Sequence, residues 1–380
     1  MTGRGRTILV MSLSALVYGM SLGNRIFYLA ALFGLLALIY GLISVLLSKR
    51  SLTVSCRMEN SRIPRGDEES MLITVGKRGF LPVYPVEISV KVGDAVYHYD
   101  EQPSRREEIT FAVALPTQHV GVFSAEITQY AFYDIFGLFR IRRKNADSCQ
   151  MMVLPRAFDV EKLRFYSNDD GQALQNRTSE DLASPEDTRA YRTGDALKRI
   201  HWKLSARKKE LIVRRFEMPA PPDTLVLLDL SRPNAHDTEE ALTLRDTLCE
   251  TALSVISMQL KGHSPVRMPL YGTRAQEFYS KQTEDLPRLQ EMLACQTFEE
   301  ELSFDRVLRL ELRRMRQTGA TVIVTTHLDV NIVEGISHIR RMGPNARVYL
   351  ITRTPDSEED RPLVMQLQQC LVEVCYVTPA

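Results

Sequence analysis

The chain begins with two long runs that contain no charged residue. The first run covers Thr7–Leu22 and the second covers Ile26–Leu47, with Gly23-Asn24-Arg25 between them. At ~1.5 Å per helical residue the second run is long enough to cross a hydrocarbon core of ~30 Å, whereas the first is marginal. We therefore predict two transmembrane helices that form a hairpin within residues 1–50.

Two other interpretations of these runs are weaker. A signal peptide would explain the first run, but no small-residue cleavage site precedes the second run, which would remain as an anchor. A buried core hairpin is disfavoured because the two runs leave no polar face for water.

The positive charges around the hairpin predict its orientation. Arg4 and Arg6 precede the first run, Lys49 and Arg50 follow the second, and only Arg25 lies in the turn. Because the cytoplasmic side of a membrane protein carries the excess of Lys and Arg, we expect the N-terminus and the main body in the cytoplasm. The six scattered cysteines include no CxxC pair, which agrees with a reducing compartment.

Residues 51–150 show short runs of alternating apolar and polar residues. The runs include LTVSCRM, MLITVG, VEISVKV and GVFSAEITQYAF, and turn-like segments such as RIPRGDEES separate them. This pattern predicts an all-β domain, and the regular spacing favours an immunoglobulin-like sandwich. Such sandwiches most often serve as spacers or docking modules.

Residues 222–380 alternate between strand-like and helix-like segments. The apolar run TLVLLDL suits a central parallel strand, and the segment that follows carries apolar residues at helical spacing. We predict a doubly wound α/β sheet, in which ligand sites lie beyond the carboxyl ends of the strands. The segments DLSRP and TTHLD occupy such positions.

A strongly basic segment lies between these regions, within residues 151–221. The whole chain has a net charge of only +1, but residues 189–215 hold ten Lys or Arg against two acids, Asp195 and Glu210. Thr193-Gly194 is typical of a turn, and Asp195 is a good N-cap for a helix over Ala196–Ala206. A strand over LIVRRF should follow.

Several residues of this segment stand in the order Arg189-x-Tyr191-x-x-Gly194-Asp195, Arg199-Ile200-His201-Trp202, Ser205-Ala206-Arg207, Leu211-x-Val213 and Phe216-Glu217. This order resembles the signature of the bacterial domain-of-unknown-function 58 family. Upstream, DIFGLFR followed by VLPR is similar to that family's Asp-Pro-Phe-Gly-Leu-Phe element and its next strand, with Ile135 in place of the common proline. The resemblance covers nearly the whole chain.

The resemblance implies a fold and a role. Members of that family resemble von Willebrand factor A domains at their C-terminal end, and they are commonly encoded beside MoxR-type AAA+ ATPases and transglutaminase-like membrane proteins. The implied role is a scaffold or adaptor, anchored in the bacterial inner membrane by two spans, for such an ATPase and other membrane proteins of the same system.

A von Willebrand A-like domain raises the question of a metal site. A metal-ion-dependent adhesion site needs Asp-x-Ser-x-Ser, because a carboxylate and hydroxyls supply the oxygen ligands that Mg²⁺ prefers. Here Pro233 replaces the second serine, and Arg232 brings a positive charge. We expect a degenerate, metal-free site, and no other cofactor. The oxygen donors that could hold Mg²⁺ are Asp229, Ser231 and Thr325, with Thr326 and Asp329 nearby.

The basic segment has three interpretations. Ile200 and Trp202 could anchor it against the α/β domain while charged residues form internal ion pairs, or clustered arginines could dock an acidic protein. Nucleic-acid binding is third and is not expected, because one tryptophan offers little base stacking. The candidate partner-binding residues are Arg189, Tyr191, Asp195, Arg199, His201, Trp202 and Arg207.

Catalytic motifs are missing from the sequence. It contains no GxSxG, no HExxH and no Walker-type loop, and His201 is more often a structural residue than a general base. We expect a non-enzymatic protein with no catalytic residue. The alternative is a divalent-metal-dependent binder or hydrolase centred on Asp229, or one in which Asp195, His201 and Asp229 converge.

Overall fold

The computed structural model divides the chain into two compact units, Met1–Pro155 and Arg156–Ala380. The residues that it describes are 1–77, 85–93, 95–102, 108–145, 147–159, 187–192, 200–215, 222–235, 237–272, 275–298, 302–315, 318–355, 357–358 and 360–379.

The first unit begins with two apolar helices, α1 (Gly3–Leu22) and α2 (Arg25–Ser51). Gly23 ends α1 in the left-handed conformation, with φ of +66°, and the Asn24 side chain caps α2. Both helices are long and apolar enough to cross a membrane by length and composition, and most of their side chains are exposed. The prediction of two apolar helices is confirmed.

Small residues set the close approach of α1 and α2. A Cβ atom at Gly34 would overlap the Ser12 hydroxyl, and one at Gly19 would press on the Tyr28 ring at 3.3 Å. Such small contact residues are characteristic of helices that pack in apolar surroundings.

Two sheets follow the helices in the first unit. One sheet is antiparallel, and its strand order is β1-β3-β6; the other has the order β2-β9-β7-β4-β5, with β8 also paired to β7. The strands are β1 (Leu52–Met58), β2 (Arg62–Pro64), β3 (Ser70–Lys77), β4 (Val86–Val92), β5 (Ala95–Glu101), β6 (Ile109–Ala114), β7 (Gly121–Tyr133), β8 (Arg140–Lys144) and β9 (Ser148–Leu154).

Both sheets contribute to one hydrophobic core. Ile73 and Val75 of β3 belong to the same buried cluster as Val90 of β4 and Ile127 of β7. The inward side chains alternate with more exposed ones along β1 and β6, as the period of two predicts. The prediction of a β-rich region after the helices is therefore confirmed.

The second unit begins with a small two-stranded sheet. β10 (Asp187–Ala190) pairs antiparallel with β11 (Ile212–Arg215), and the short helix α3 (Trp202–Lys208) precedes β11. The helix predicted over Ala196–Ala206 is wrong at Ile200 and His201. Ile200 forms a β-bridge with Val213, so the chain is extended there and turns helical only afterwards.

A six-stranded sheet with helices on both faces makes up the rest of the second unit. Its strand order is β14-β13-β12-β15-β16-β17, in which five strands are parallel and β14 is antiparallel to β13. The strands are β12 (Asp223–Leu228), β13 (Val266–Tyr271), β14 (Ala275–Ser280), β15 (Thr318–Thr325), β16 (Asn345–Ile351) and β17 (Glu373–Val377). The helices are α4 (Thr238–Lys261), α5 (Leu286–Ala294), α6 (Phe304–Leu312), α7 (Val330–Arg341) and α8 (Arg361–Gln369).

Separate cores form on the two faces of this sheet. One core packs α4 and α5 against residues such as Val226 and Val324, and the other packs α6, α7 and α8 against Leu227 and Ile323. The alternation of neighbouring strand residues between two buried faces explains the unbroken apolar run at β12. Because β13 and β15 lie on opposite sides of β12, the strand order reverses at the carboxyl ends of β12 and β15.

Candidate functional site

Asp229 lies at this reversal point, directly after β12. Its backbone N–H donates to the Val324 carbonyl at 2.9 Å, and only 1% of the residue is exposed. The carboxylate Oδ1 accepts from the Ser231 N–H at 3.0 Å and from the Ser231 hydroxyl, and Oδ2 accepts from the Thr325 hydroxyl at 2.7 Å. The structure therefore brings together the three predicted oxygen donors, Asp229, Ser231 and Thr325.

The neighbours of this cluster have other roles. The His327 N–H donates to the Thr325 hydroxyl at 3.3 Å, and the His327 Nδ1 lies 3.6 Å from Asp229 Oδ2. Asp329 caps α7, where its Oδ1 accepts from the Ile332 N–H at 2.6 Å, so this carboxylate serves the helix. His327 was not predicted as a site residue, although it stands only two positions after Thr325.

Both oxygens of the Asp229 carboxylate accept hydrogen bonds from within the cluster. Each carboxylate oxygen accepts at least one bond from a hydroxyl or an N–H of the cluster. Within the described part of the chain, no group of three His, Cys, Asp or Glu could hold a metal ion. Among the described residues, Asp229 is the carboxylate that Ser231 and Thr325 contact.

A second buried carboxylate, Glu311, has cationic partners instead. Its Oε2 accepts from the Arg267 guanidinium at 2.7 Å, and its Oε1 accepts from Arg314 at 3.0 Å and from the Tyr271 hydroxyl. Burial acts to raise the pKa of Glu311, but the hydrogen bonds from Tyr271 and Arg267 and the charges of both arginines outweigh it and lower the pKa. The network therefore stabilises the buried Glu311 carboxylate within the second unit, and we assign it a structural role.

The helix α3 is held in place by three contacts with its surroundings. The His201 N–H donates to the Ile212 carbonyl at 2.8 Å, and the His201 Nδ1 caps α3 by accepting from the Leu204 N–H at 3.2 Å. The buried Ser205 hydroxyl accepts from the Ile212 N–H at 2.9 Å. His201 therefore acts as a helix cap in this structure, and its Nδ1 is not available as a base.

The outer face of α3 carries an exposed tryptophan among cations. Trp202 is 64% exposed, whereas Ile200 is buried, so of the two proposed anchor residues only Ile200 is buried. Lys203, Arg207 and Lys208 of the same helix are also exposed. Because most of this indole ring is not packed in the protein's own core, it is available for contact with another molecule.

The remaining predicted binding residues are described only in part. Tyr191 is half-buried, and its N–H donates to the Leu211 carbonyl at 2.8 Å. Arg189 lies in β10, and Asp195 and Arg199 lie outside the described residues.

The fold and the site define a class of protein with an apolar helical hairpin, a β-rich unit, and an α/β unit preceded by a basic helix. Residues 187–350 match the family model described as "Protein of unknown function DUF58". These residues run from β10 into β16, and over them the chain is similar to that family. The match includes α3 as well as Asp229, Ser231 and Thr325.

Comparisons with solved structures gave low similarity. A CARDB domain from Pyrococcus furiosus is 12% identical, with a TM-score of 0.22, over 27% of this chain and 91% of that one. A cohesin module from Clostridium perfringens is 9% identical, with a TM-score of 0.21, over 27% and 98% of the two chains. At such TM-scores neither similarity supports an argument about function. No curated protein matched the chain.

Proposed function

We propose that this protein is a membrane-anchored cytoplasmic scaffold or adaptor with no catalytic activity of its own. Its proposed partners are a MoxR-type AAA+ ATPase and other membrane proteins of the same system. In this proposal α1 and α2 span the bacterial inner membrane, and the main body lies in the cytoplasm. The exposed apolar surfaces of both helices and the positive charges outside the hairpin support the anchor.

The proposal includes finer fold assignments for both units. Two sheets over one core support an immunoglobulin-like sandwich in the first unit. In the second unit, five parallel strands with one antiparallel edge strand and helices on both faces support a von Willebrand A-like domain.

The observation that carries the docking role is the exposure of Trp202 on α3. Tryptophan and arginine dominate the binding energy of protein interfaces, because a large flat side chain buries much apolar area on contact. The cations Lys203, Arg207 and Lys208 are exposed on the same short helix and favour an acidic partner surface. We therefore place the partner contact on the outer face of α3.

Co-purification with the ATPase tests this contact. The full chain is co-expressed with a MoxR-type ATPase of the same bacterium, solubilised in detergent and recovered by a tag on the chain. The double variant Trp202→Ala, Arg207→Glu should recover the ATPase at least about tenfold less well, since a loss of about 1.4 kcal/mol in binding corresponds to tenfold.

A matched control exists elsewhere on the same unit. Tyr279 is 51% exposed, and the Lys281 ammonium lies 6.0 Å from its ring centroid, so Tyr279→Ala, Lys281→Glu removes a similar aromatic and cation. This control should leave recovery within about twofold of the native chain. Equal recovery with both double variants would reject α3 as the docking face.

The alternative function is a divalent-metal-dependent binder or hydrolase centred on Asp229. The observation that favours it is the convergence of Asp229, Ser231 and Thr325 at the strand-order reversal. Calorimetric titration of the full chain with Mg²⁺ and Mn²⁺ separates the two functions. The scaffold proposal expects no heat that depends on Asp229, and a binding heat abolished by Asp229→Asn would favour the alternative.

A further inference from the structure

The loop between β7 and β8 lies against both apolar helices. The Thr2 N–H, just before α1, donates to the Leu138 carbonyl at 2.8 Å, and the Thr2 hydroxyl donates to the Gly137 carbonyl at 2.6 Å. On α2, the Tyr40 ring meets the Phe136 ring edge-on, with 6.0 Å between the centroids. The loop therefore sits at the level where α1 begins.

This loop holds two large apolar side chains out of the protein. Ile135 is 43% exposed and Phe136 is 52% exposed. Between them and the sheet, the buried Asp134 carboxylate accepts from the Phe136 N–H at 3.1 Å and from the Phe139 N–H at 2.6 Å. Gly137 completes the turn in the left-handed conformation, with φ of +67°. The hydrogen bonds fix the turn, so the exposure of both side chains is built into the loop.

The last turns of α2 have one buried side and one exposed apolar side. Ser44, Val45 and Ser48 are buried, and Val45 belongs to the core of the sheets. The exposed large apolar residues of the same turns are Leu42, Ile43, Leu46 and Leu47. The exposed apolar surface of α2 therefore continues past Tyr40, and in the proposed anchor the lipid that covers this surface reaches the level of the loop.

Cations flank the loop, as expected next to lipid headgroups. Arg4 and Arg6 are exposed on the first turn of α1, and Arg142 and Arg143 are exposed on β8. Glu87, a partly exposed acidic residue near the loop, pairs with Arg140. Positive side chains at this level attract the anionic lipid surface and can reach its phosphates while apolar neighbours enter the acyl region.

We propose that the β7–β8 loop inserts Ile135 and Phe136 into the bilayer leaflet that borders the sheets of the first unit. This inference rests on the proposed membrane anchor and adds to it a second lipid contact. The continuity of Phe136 with Tyr40 on α2 favours lipid over a protein partner as the occupant. The loop then fixes the depth of the hairpin and holds the β-rich unit at the membrane surface.

Depth-dependent fluorescence quenching tests the insertion. The full chain is reconstituted in vesicles of phosphatidylcholine and phosphatidylglycerol that carry bromine on their acyl chains. Trp202 is the only tryptophan, so a Trp202→Phe background gives a chain without indole fluorescence. Single probes are then introduced as Phe136→Trp or, as a second loop position, Ile135→Trp. Both loop probes should lose at least about half of their emission, because bromine quenches only on close contact.

Two further probes make the outcomes distinguishable. Phe33→Trp reports on α2, where Phe33 is exposed, and Tyr97→Trp reports on an exposed aromatic of β5. The Phe33 probe should be quenched and the Tyr97 probe should not. Quenching at Phe33 with loop probes as bright as the Tyr97 probe would overturn the loop inference alone. Unquenched emission at Phe33 and in the loop would overturn the anchor and the inference together.

Discussion

The second unit contains two polar regions that differ in exposure, the Asp229 cluster and the outer face of α3. The Asp229 cluster has the residue types and the position of a ligand site, but its carboxylate is 1% exposed and bonded to Ser231 and Thr325. The α3 face has no motif of a catalytic or metal site, yet it presents Trp202 and several cations to solvent.

The comparison shows that a cluster can contain the residue types of a ligand site and still not present them to a ligand. A short motif can place ligand-type side chains together and still leave them occupied with one another. A surface without a catalytic or metal-binding motif can expose the side chains that interfaces use most. The following predictions compare how much the two regions contribute to the free energy of unfolding. Glu311, a buried carboxylate with charged partners, is the reference.

Glu311→Gln should have the largest effect on stability. The substitution removes the nearest of the three carboxylates that pair with the largely buried Arg267, which also contacts Asp223 and Glu277, and breaking a buried pair costs about 3 kcal/mol. Chemical denaturation of the full chain in detergent, followed by circular dichroism, measures the change. A loss below about 1 kcal/mol would show that the network is not held by charge.

The same variant has a pH dependence with a definite sign. The pKa of Glu311 is lowered in the folded protein, so its stabilisation is present above the unfolded pKa and disappears as the pH falls through the folded pKa. The stability difference between native and Glu311→Gln chains should therefore be larger at about pH 7 than at about pH 3. An unchanged difference would contradict the assigned cause of the shift.

Asp229→Ala should destabilise the chain by about 2 kcal/mol, because Thr325 and Ser231 lose a buried acceptor. Asp229→Asn keeps one acceptor oxygen for neutral donors and should cost less than about 1 kcal/mol. The same denaturation experiment compares the two variants. If Asn were as harmful as Ala, the charge at Asp229 would matter, and the comparison with Glu311 would weaken.

Trp202→Ala should change stability by less than about 0.5 kcal/mol, since exposed side chains away from caps and cores contribute little. Ser205→Ala on the same helix is the matched control, and it should cost about 1 kcal/mol because its hydroxyl accepts from the buried Ile212 N–H. A large loss at Trp202 would mean that the indole packs against the protein and is not free to dock a partner.

Much of the fold followed from hydrophobic periodicity alone. The apolar run at β12 and the helical spacing in α4 predicted the start of the α/β unit, because side chains buried on both sheet faces leave a clear pattern. β8 was not predicted. Four of the five residues in Arg140–Lys144 are charged, and this strand pairs only with β7, so no buried face marks its sequence.

The local structure of the basic segment was harder to predict. The sequence favoured one continuous helix over Ala196–Ala206, but the bridge from Ile200 to Val213 extends the chain before α3. A contact with a distant strand thus overrides local propensity. The sequence also did not predict that Trp202 would be exposed, because large apolar residues are usually buried in the core.

Affinity for the proposed partner ATPase, measured with the full chain in lipid nanodiscs, tests the central claim most directly. Native, Trp202→Ala and Asp229→Asn chains are titrated with a MoxR-type ATPase of the same bacterium. Docking on α3 predicts that Trp202→Ala raises Kd at least about tenfold, while Asp229→Asn leaves Kd within about twofold. A Kd unchanged by Trp202→Ala and raised by Asp229→Asn would contradict the account and move the functional site to the carboxyl ends of the strands.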